Sequence, residues 1–282
     1  MSKITISMDN TADLSAELYK KYGFERVCMG VVFGDRVVPC CDVKPEDIYK
    51  AVEVDGILPK TNGGLEVDYT ELFEKATKDG GSIIHFSVSG KLSVSHSNAR
   101  RAAANFERVY IIDTKTLSTG TAMLAIRAHE MVQEGKDVAE IHEAVTAMVE
   151  KLDVSFVLND LKYIHRGGRA SGLKLLGANL LKIRPSLFLD AEGKIVPGKK
   201  FKGKFSLAVK EWTQYKMREY WENIDKRLCF LMHTDIDDEI AMEMHKDLKE
   251  FGFKEIIRLP LGTTLTTHIG RNMIGVASIK QG

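Results

Sequence analysis

Along the first half of this 282-residue chain, short apolar runs are separated by longer stretches whose apolar residues recur three and four apart. Residues 4–8, 27–34, 82–88 and 109–112 read as strands, with Gly34-Asp35 turning the second into Val37 and Val38. Residues 16–22, 45–54, 69–78, 93–106 and 119–134 read as helices, and 138–152 as another, with Ile141, Val145, Met148 and Leu152 on one stripe. Strand and helix in alternation predict a parallel sheet covered by helices on both faces.

The second half has a different texture. Strand-like pieces at 154–158, 183–189 and 194–196 crowd together before a long amphipathic helix that includes Trp212, Tyr215 and Trp221. Residues 227–232 form a buried strand, and Thr234-x-x-Asp237 reads as a capping box opening a helix with the stripe Ile240, Met244, Leu248 and Phe251. Gly252 sits where a helix-ending glycine belongs, and the last strands are 255–261 and 275–279. The expected architecture is α/β with two domains: residues 1–152 with a doubly wound parallel sheet, and 153–282 with a mixed sheet. A cleft between two domains is the default ligand site.

A composition of 44% hydrophobic and 28% charged residues is that of an ordinary globular protein. No apolar run approaches the roughly 18 residues of a membrane span, and the first residues lack a signal-peptide pattern, so the cytoplasm is the expected location. Forty basic against 39 acidic side chains leave a net charge of +1, which excludes a general nucleic-acid binder. That neutrality is a cancellation, because residues 161–204 hold eleven basic and two acidic side chains, +9, opposed by −8 elsewhere. Such a stretch is either a solvated surface or one positive face for an anionic partner. Cys28, Cys40, Cys41 and Cys229 form no C-x-x-C pair and read as reduced thiols.

Three strand-to-loop passages are rich in hydroxyls: Thr61-Asn62-Gly63-Gly64, residues 87–95 with Ser89, Ser93 and Ser95, and residues 114–121 with Ser118 and Gly120. At the carboxyl ends of parallel strands, where helix N-termini present unpaired N–H groups, they suit a carboxylate or phosphate; the competing reading is plain helix capping. Residues 261–270 put His268 in a further hydroxyl- and glycine-rich loop, and Gly167-Gly168-Arg169 offers a sharp turn with an arginine able to fork onto a carboxylate. Gly198-x-x-x-x-Gly203-Lys204 imitates a phosphate loop, but Phe205 replaces the required hydroxyl, and four lysines indicate an exposed hairpin. No G-x-S-x-G elbow or H-E-x-x-H helix is present, and no cofactor or metal is implied.

In order and spacing, several pieces resemble the DegV family of bacterial fatty-acid-binding proteins: residues 8–14 (Met-Asp-Asn-Thr-Ala-Asp-Leu), Thr61, Ser89-Gly90-Lys91-Leu92-Ser93, Ile112-Asp113-Thr114 with Ser118 and Gly120, Leu161-Lys162-Tyr163 leading to Gly167-Gly168-Arg169, Lys182-Ile183-Arg184-Pro185, and Gly262 with His268-Ile269-Gly270. The resemblance covers essentially the whole chain. It implies a two-domain lipid carrier, not an enzyme, holding a long-chain fatty acid in a tunnel between the domains and presenting its carboxylate to a fatty acid kinase for acyl-phosphate formation. Carried over, Thr61 and Ser93 bind the carboxylate, His268 joins their polar network, and Arg169 and Ser118 are further ligand candidates. Lys199, Lys200, Lys202 and Lys204 become the partner-binding surface, which also suits transient contact with an anionic membrane. Departures are Asn62, Gly63 and Gly64 where members often carry a Ser-Gln-Pro-like run, Val94 where glycine is common, and Arg271-Asn272 where Pro-Gly is common. The alternative reading is an enzyme acting on a small carboxylated or phosphorylated substrate, with His268 as acid/base.

Overall fold

A computed structural model describes residues 3–169 and 183–281; Ser171, Lys174 and Lys182 lie outside the described residues. The chain divides into two compact units, Met1–Glu150 with Gly262–Thr264, and Lys151–Leu261 with Leu265–Gly282.

In the first unit the chain runs β1 (Ile4–Asp9), α1 (Ala16–Tyr22), β2 (Glu25–Val27), β3 (Gly30–Phe33), β4 (Arg36–Pro39), α2 (Pro45–Glu53), β5 (Lys60–Asn62), α3 (Glu66–Thr77), β6 (Ser82–Ser87), α4 (Ser95–Ala103), β7 (Val109–Asp113), α5 (Thr119–Gln133) and α6 (Val138–Met148). β2, β1, β6 and β7 form, in that order, an all-parallel sheet. Tyr69 and Phe73 of α3 and Ala99 and Ala102 of α4 pack with Ile83 of β6, giving that face an apolar core. Burying a side chain such as Phe73 contributes about 1.5–3 kcal/mol. Because β2 lies on one side of β1 and β6 on the other, strand order reverses between β1 and β6. That reversal opens a crevice at the carboxyl ends of those two strands.

The expected single strand at 27–34 is in fact split. Val27 ends β2 in the parallel sheet, whereas Gly30–Phe33 joins an antiparallel sheet of order β4-β3-β5. Asn62 Oδ1 accepts the Gly30 N–H at 2.6 Å, and that approach needs a residue without a side chain. Thr61, expected in a loop, lies in β5 opposite Val31.

The second unit runs β8 (Leu152–Leu158), α7 (Lys162–Gly167), β9 (Ile183–Leu189), β10 (Ile195–Lys202), α8 (Phe205–Glu219), β11 (Leu228–His233), α9 (Asp238–Phe251), β12 (Glu255–Pro260), α10 (Thr263–Ile269, which starts in the first unit) and β13 (Met273–Ile279). Its sheet is mixed, with order β10-β9-β8-β13-β11-β12 and a parallel pairing between β11 and β12. Trp212, Trp221, Met244, Leu248 and Phe253 fill the core on the α8/α9 side. Beneath them Lys216 Nζ reaches both Asp153 oxygens at 2.7 and 2.6 Å, and Trp221 Nε1 donates to the same carboxylate at 2.7 Å.

Four local expectations change here. The helix expected to Leu152 stops at Met148, since Leu152 already pairs with Ile279 in the sheet. Asp237, not Thr234, caps α9 by accepting the Glu239 N–H, while Thr234 Oγ1 accepts the Met273 N–H at 3.0 Å. The long helix expected to include Trp221 ends at Glu219, whereas Gly198 lies, as the hairpin reading has it, within β10, which pairs antiparallel with β9 and slips in register between Pro197 and Lys200. Residues 263–269, expected as loop, are helix. Among the described residues no helix is long and apolar enough to cross a membrane.

Candidate functional site

The crevice between β1 and β6 is organised by Asp9, the last residue of β1, which is wholly buried. Its Oδ1 accepts the Tyr69 hydroxyl at 2.6 Å and lies 3.4 Å from His85 Nε2; its Oδ2 accepts the Val88 N–H at 2.9 Å. Burial and the neighbouring Asp9 push the Tyr69 phenol far above its ordinary value, so it stays a donor. The Tyr69 oxygen in turn bonds the Ser95 side chain. Tyr69's one proton is committed to Asp9, and the Ser95 oxygen accepts the Gly64 N–H at 3.2 Å, lies 2.8 Å from Ser93 Oγ and faces Met29 Sδ at 4.0 Å. A single string thus runs from a buried acid through Tyr69 and Ser95 to Ser93. Ser93 itself is half-buried, just ahead of α4.

Gly63 and Gly64, just after β5, pack against the same serines. A Cβ on Gly64 would stand 2.5 Å from the Tyr69 hydroxyl, and one on Gly63 would stand 2.9 Å from Val94 Cγ2 and 3.2 Å from Ser93 Oγ. The two departures noted in the sequence therefore answer each other: the missing side chain at position 63 accommodates the bulk of Val94. The capping reading of Ser93 is met in part, as its Oγ accepts the Ser95 N–H at 3.2 Å, but the N-cap residue is Val94.

Ser118 lies at the start of α5 with φ +52°, a conformation costly for a non-glycine residue. Its hydroxyl donates to Asp13 Oδ2 at 2.7 Å, and Gly262 N–H donates to Asp13 Oδ1 at 2.9 Å. Desolvation pushes Asp13 up to about 7, against the lowering effect of those two hydrogen bonds.

In the second unit, His268 occupies the last turn of α10. Burial first, then the Arg169 guanidinium, lowers its imidazole to about 4. At neutral pH it is an uncharged hydrogen-bonding group and carries no proton for general-acid work. The paired glycines have separate reasons: Gly168 takes φ +68° to end α7, and a Cβ on Gly167 would stand 2.8 Å from His268 Nδ1. Arg169 is exposed, with Nη1 donating to the Gly167 carbonyl at 2.8 Å. The added charge near His268, Arg271, pairs with Asp235.

Lys199, Lys200, Lys202 and Lys204 are all exposed on or just after the edge strand β10, and Lys199 Nζ sits 4.0 Å from the Tyr215 ring centroid. Lysines along an edge strand also block pairing with another sheet.

The structure thus gathers Ser93 with Gly63 and Gly64, which follow Thr61 at the end of β5, ties Ser118 to Asp13, and sets His268 beside Arg169. Asp9, Tyr69 and Asp13 are the residues sequence reasoning missed as candidate site members, whereas Ser95 stands in the hydroxyl-rich passage 87–95. The available signal was an acid closing the apolar strand 4–8. Ser7, His85 and Asp9 repeat the residue types of a hydrolytic triad, with Ser7 Oγ 2.9 Å from His85 Nδ1, yet all three are wholly buried and no substrate reaches them. Among the described residues no group of three or more His, Cys, Asp or Glu could hold a metal ion.

A DegV domain-containing protein of Caldanaerobacter subterraneus subsp. tengcongensis is 28% identical over 280 residues, covering 98% of each chain. A protein of Thermotoga maritima named fatty acid-binding protein is 26% identical over 280 residues, covering 97% of this chain and 96% of that one. Among solved structures, a DegV family protein of Thermus thermophilus, described for its fatty acid binding, superposes with a TM-score of 0.90 at 24% identity over 99% of this chain and 100% of that one, and so shares the fold. The model of the DegV family matches residues 3–281, and with that span the chain belongs to the DegV family.

Proposed function

We propose that this protein is a non-catalytic carrier of a long-chain fatty acid that holds the carboxylate at Ser93 and Thr61 and presents it to a fatty acid kinase. The observation that carries the proposal is the string Asp9–Tyr69–Ser95–Ser93, which positions a partly exposed hydroxyl at the switch point of a parallel sheet. On binding, the Ser93 hydroxyl donates to the head group, while Gly64 N–H continues to satisfy Ser95. A carboxylate is costly to bury unless hydrogen-bonded, and each such bond to a charged group contributes about 1.5–3 kcal/mol. The acyl chain supplies most of the affinity: at about 0.8 kcal/mol per CH₂, fourteen to eighteen carbons contribute on the order of 10 kcal/mol before ordering costs. His268, as a neutral imidazole, and Arg169 are assigned as further polar groups for the ligand. The lysines at 199, 200, 202 and 204 are assigned to the kinase and to transient contact with anionic lipid, in a protein working in the cytoplasm.

Native mass spectrometry of protein purified from a bacterial host, followed by lipid extraction, is expected to find a bound fatty acid. Ser93→Ala is expected to weaken oleate or palmitate binding by about ten- to a hundredfold. A clean ligand-free mass together with no binding of either added acid refutes the carrier reading. Replacing the four lysines with glutamate is expected to slow acyl-phosphate formation by a fatty acid kinase and leave lipid affinity unchanged. Unchanged phosphorylation removes them from the kinase contact.

A further inference from the structure

Three of the four cysteines meet in the first unit. Cys28 lies between β2 and β3, while Cys40 and Cys41 begin the short turn Cys40–Asp42 that follows β4. The β3–β4 ladder ends with Gly30 opposite Pro39, and one step beyond it the Cys40 N–H donates to the Met29 carbonyl at 2.9 Å. The hairpin thereby delivers Cys28 to the Cys40-Cys41 pair, and the Cys28 side chain hydrogen-bonds both.

Cys40 is where donors converge. Asn10 Nδ2 donates to its Sγ at 2.8 Å, and the Asn10 amide is oriented to do so because its Oδ1 accepts the Met29 N–H at 2.9 Å. The Cys28 and Thr264 side chains also hydrogen-bond Cys40. This donor set favours a thiolate: the Cys40 thiol is held below its ordinary value, chiefly by Cys28, whereas Cys28, bonded to Cys40 and desolvated, is held above its own. Cys229 in the second unit is the contrast, fully buried and pushed up by burial and by Asp153.

We propose that Cys40 and Cys28 form a peroxide-reactive dithiol, with Cys40 as the attacking sulfur and Cys28 as the resolving one. The Cys40 thiolate attacks one oxygen of hydrogen peroxide, the O–O bond breaks, and a sulfenic acid and hydroxide form. The Cys28 sulfur then attacks the sulfenic sulfur, the S–O bond breaks, and water leaves as the disulfide closes. Two thiols and one peroxide become one disulfide and two waters. Oxidation takes the Cys40 sulfur away from Asn10, which also bonds Thr264 Oγ1 at 3.3 Å, and so reaches the 262–264 segment that holds Asp13.

The test uses the full chain, purified reduced, exposed to a small excess of hydrogen peroxide, alkylated, and read by intact mass and peptide mapping. The expected product is monomeric, lacks two hydrogens and two alkylatable thiols, maps to a Cys28–Cys40 bond, and reverts with dithiothreitol. Cys28→Ala is expected to leave Cys40 as a sulfenic acid captured by dimedone, and Cys40→Ala to slow peroxide consumption by at least about tenfold. Cys41→Ala is expected to change neither the bond nor its rate. Circular dichroism checks each variant's fold, and the map of the unsubstituted protein decides the matter where a variant does not fold. A bond mapped to Cys28 and Cys41, a link only between chains, or oxidation of Cys40 no faster than that of Cys229 overturns the assignment.

Discussion

Asp9→Ala is expected to destabilise the protein by about 3–5 kcal/mol, the range for removing one partner from a buried polar cluster. The Tyr69 hydroxyl and the Val88 N–H then lose their acceptor where water does not reach, and His85 loses the group facing its Nε2. Each stranded donor costs about 1–3 kcal/mol, and the costs are not additive because the groups share one cluster. The same change releases Tyr69, hence Ser95, hence Ser93, so the orientation of the proposed head-group hydroxyl goes with it. Asp9→Asn keeps one acceptor and is expected to cost less. Asp35→Ala, on an exposed turn, serves as the neutral control. Urea unfolding at constant pH reads all three. A loss below about 1 kcal/mol for Asp9→Ala means that Asp9 does not organise the crevice.

How much of this was legible in the sequence depends on the range of the interactions involved. Alternating apolar positions exposed β1, β6 and β7 and the helices between them, because those periods are local. The hydroxyl-rich passages were found for the same reason, and the reversal of strand order explains why two of them flank one crevice. What tied them together was not local: Asp9 meets Tyr69 across 60 positions and Val88 across 79. Tyr69 reads in the sequence as one more apolar residue of an amphipathic helix, which its ring is; only the fold shows where its hydroxyl points. β5 is three residues long, too short to display alternation. α10 was concealed by its threonines, poor helix formers that compete for backbone groups, and tertiary bonds outweigh that tendency. Thr263 Oγ1, for example, donates toward the Cys40 and Val43 carbonyls at 3.2 and 2.9 Å.

Asp13→Asn is expected to stabilise the protein at about pH 8 and to flatten its stability between about pH 4 and 7. In the folded chain the Asp13 carboxyl is pushed up from 3.8 to about 7 by burial. Between those values the native state holds a proton that the unfolded chain has released. Stability from this group is therefore complete below about pH 4, falls as pH rises toward 7, and stays low above it, a change of up to roughly 4 kcal/mol. Asparagine is neutral throughout. Its amide oxygen accepts the Gly262 N–H and its NH₂ donates to Ser118 Oγ, replacing both bonds the carboxyl makes. Other titrating groups act alike in the two proteins and cancel in the difference between their unfolding free energies. Urea unfolding of both proteins across the pH range is expected to give curves that meet near pH 4 and diverge toward pH 8 in favour of the variant, and parallel curves would show that Asp13 titrates at its ordinary value.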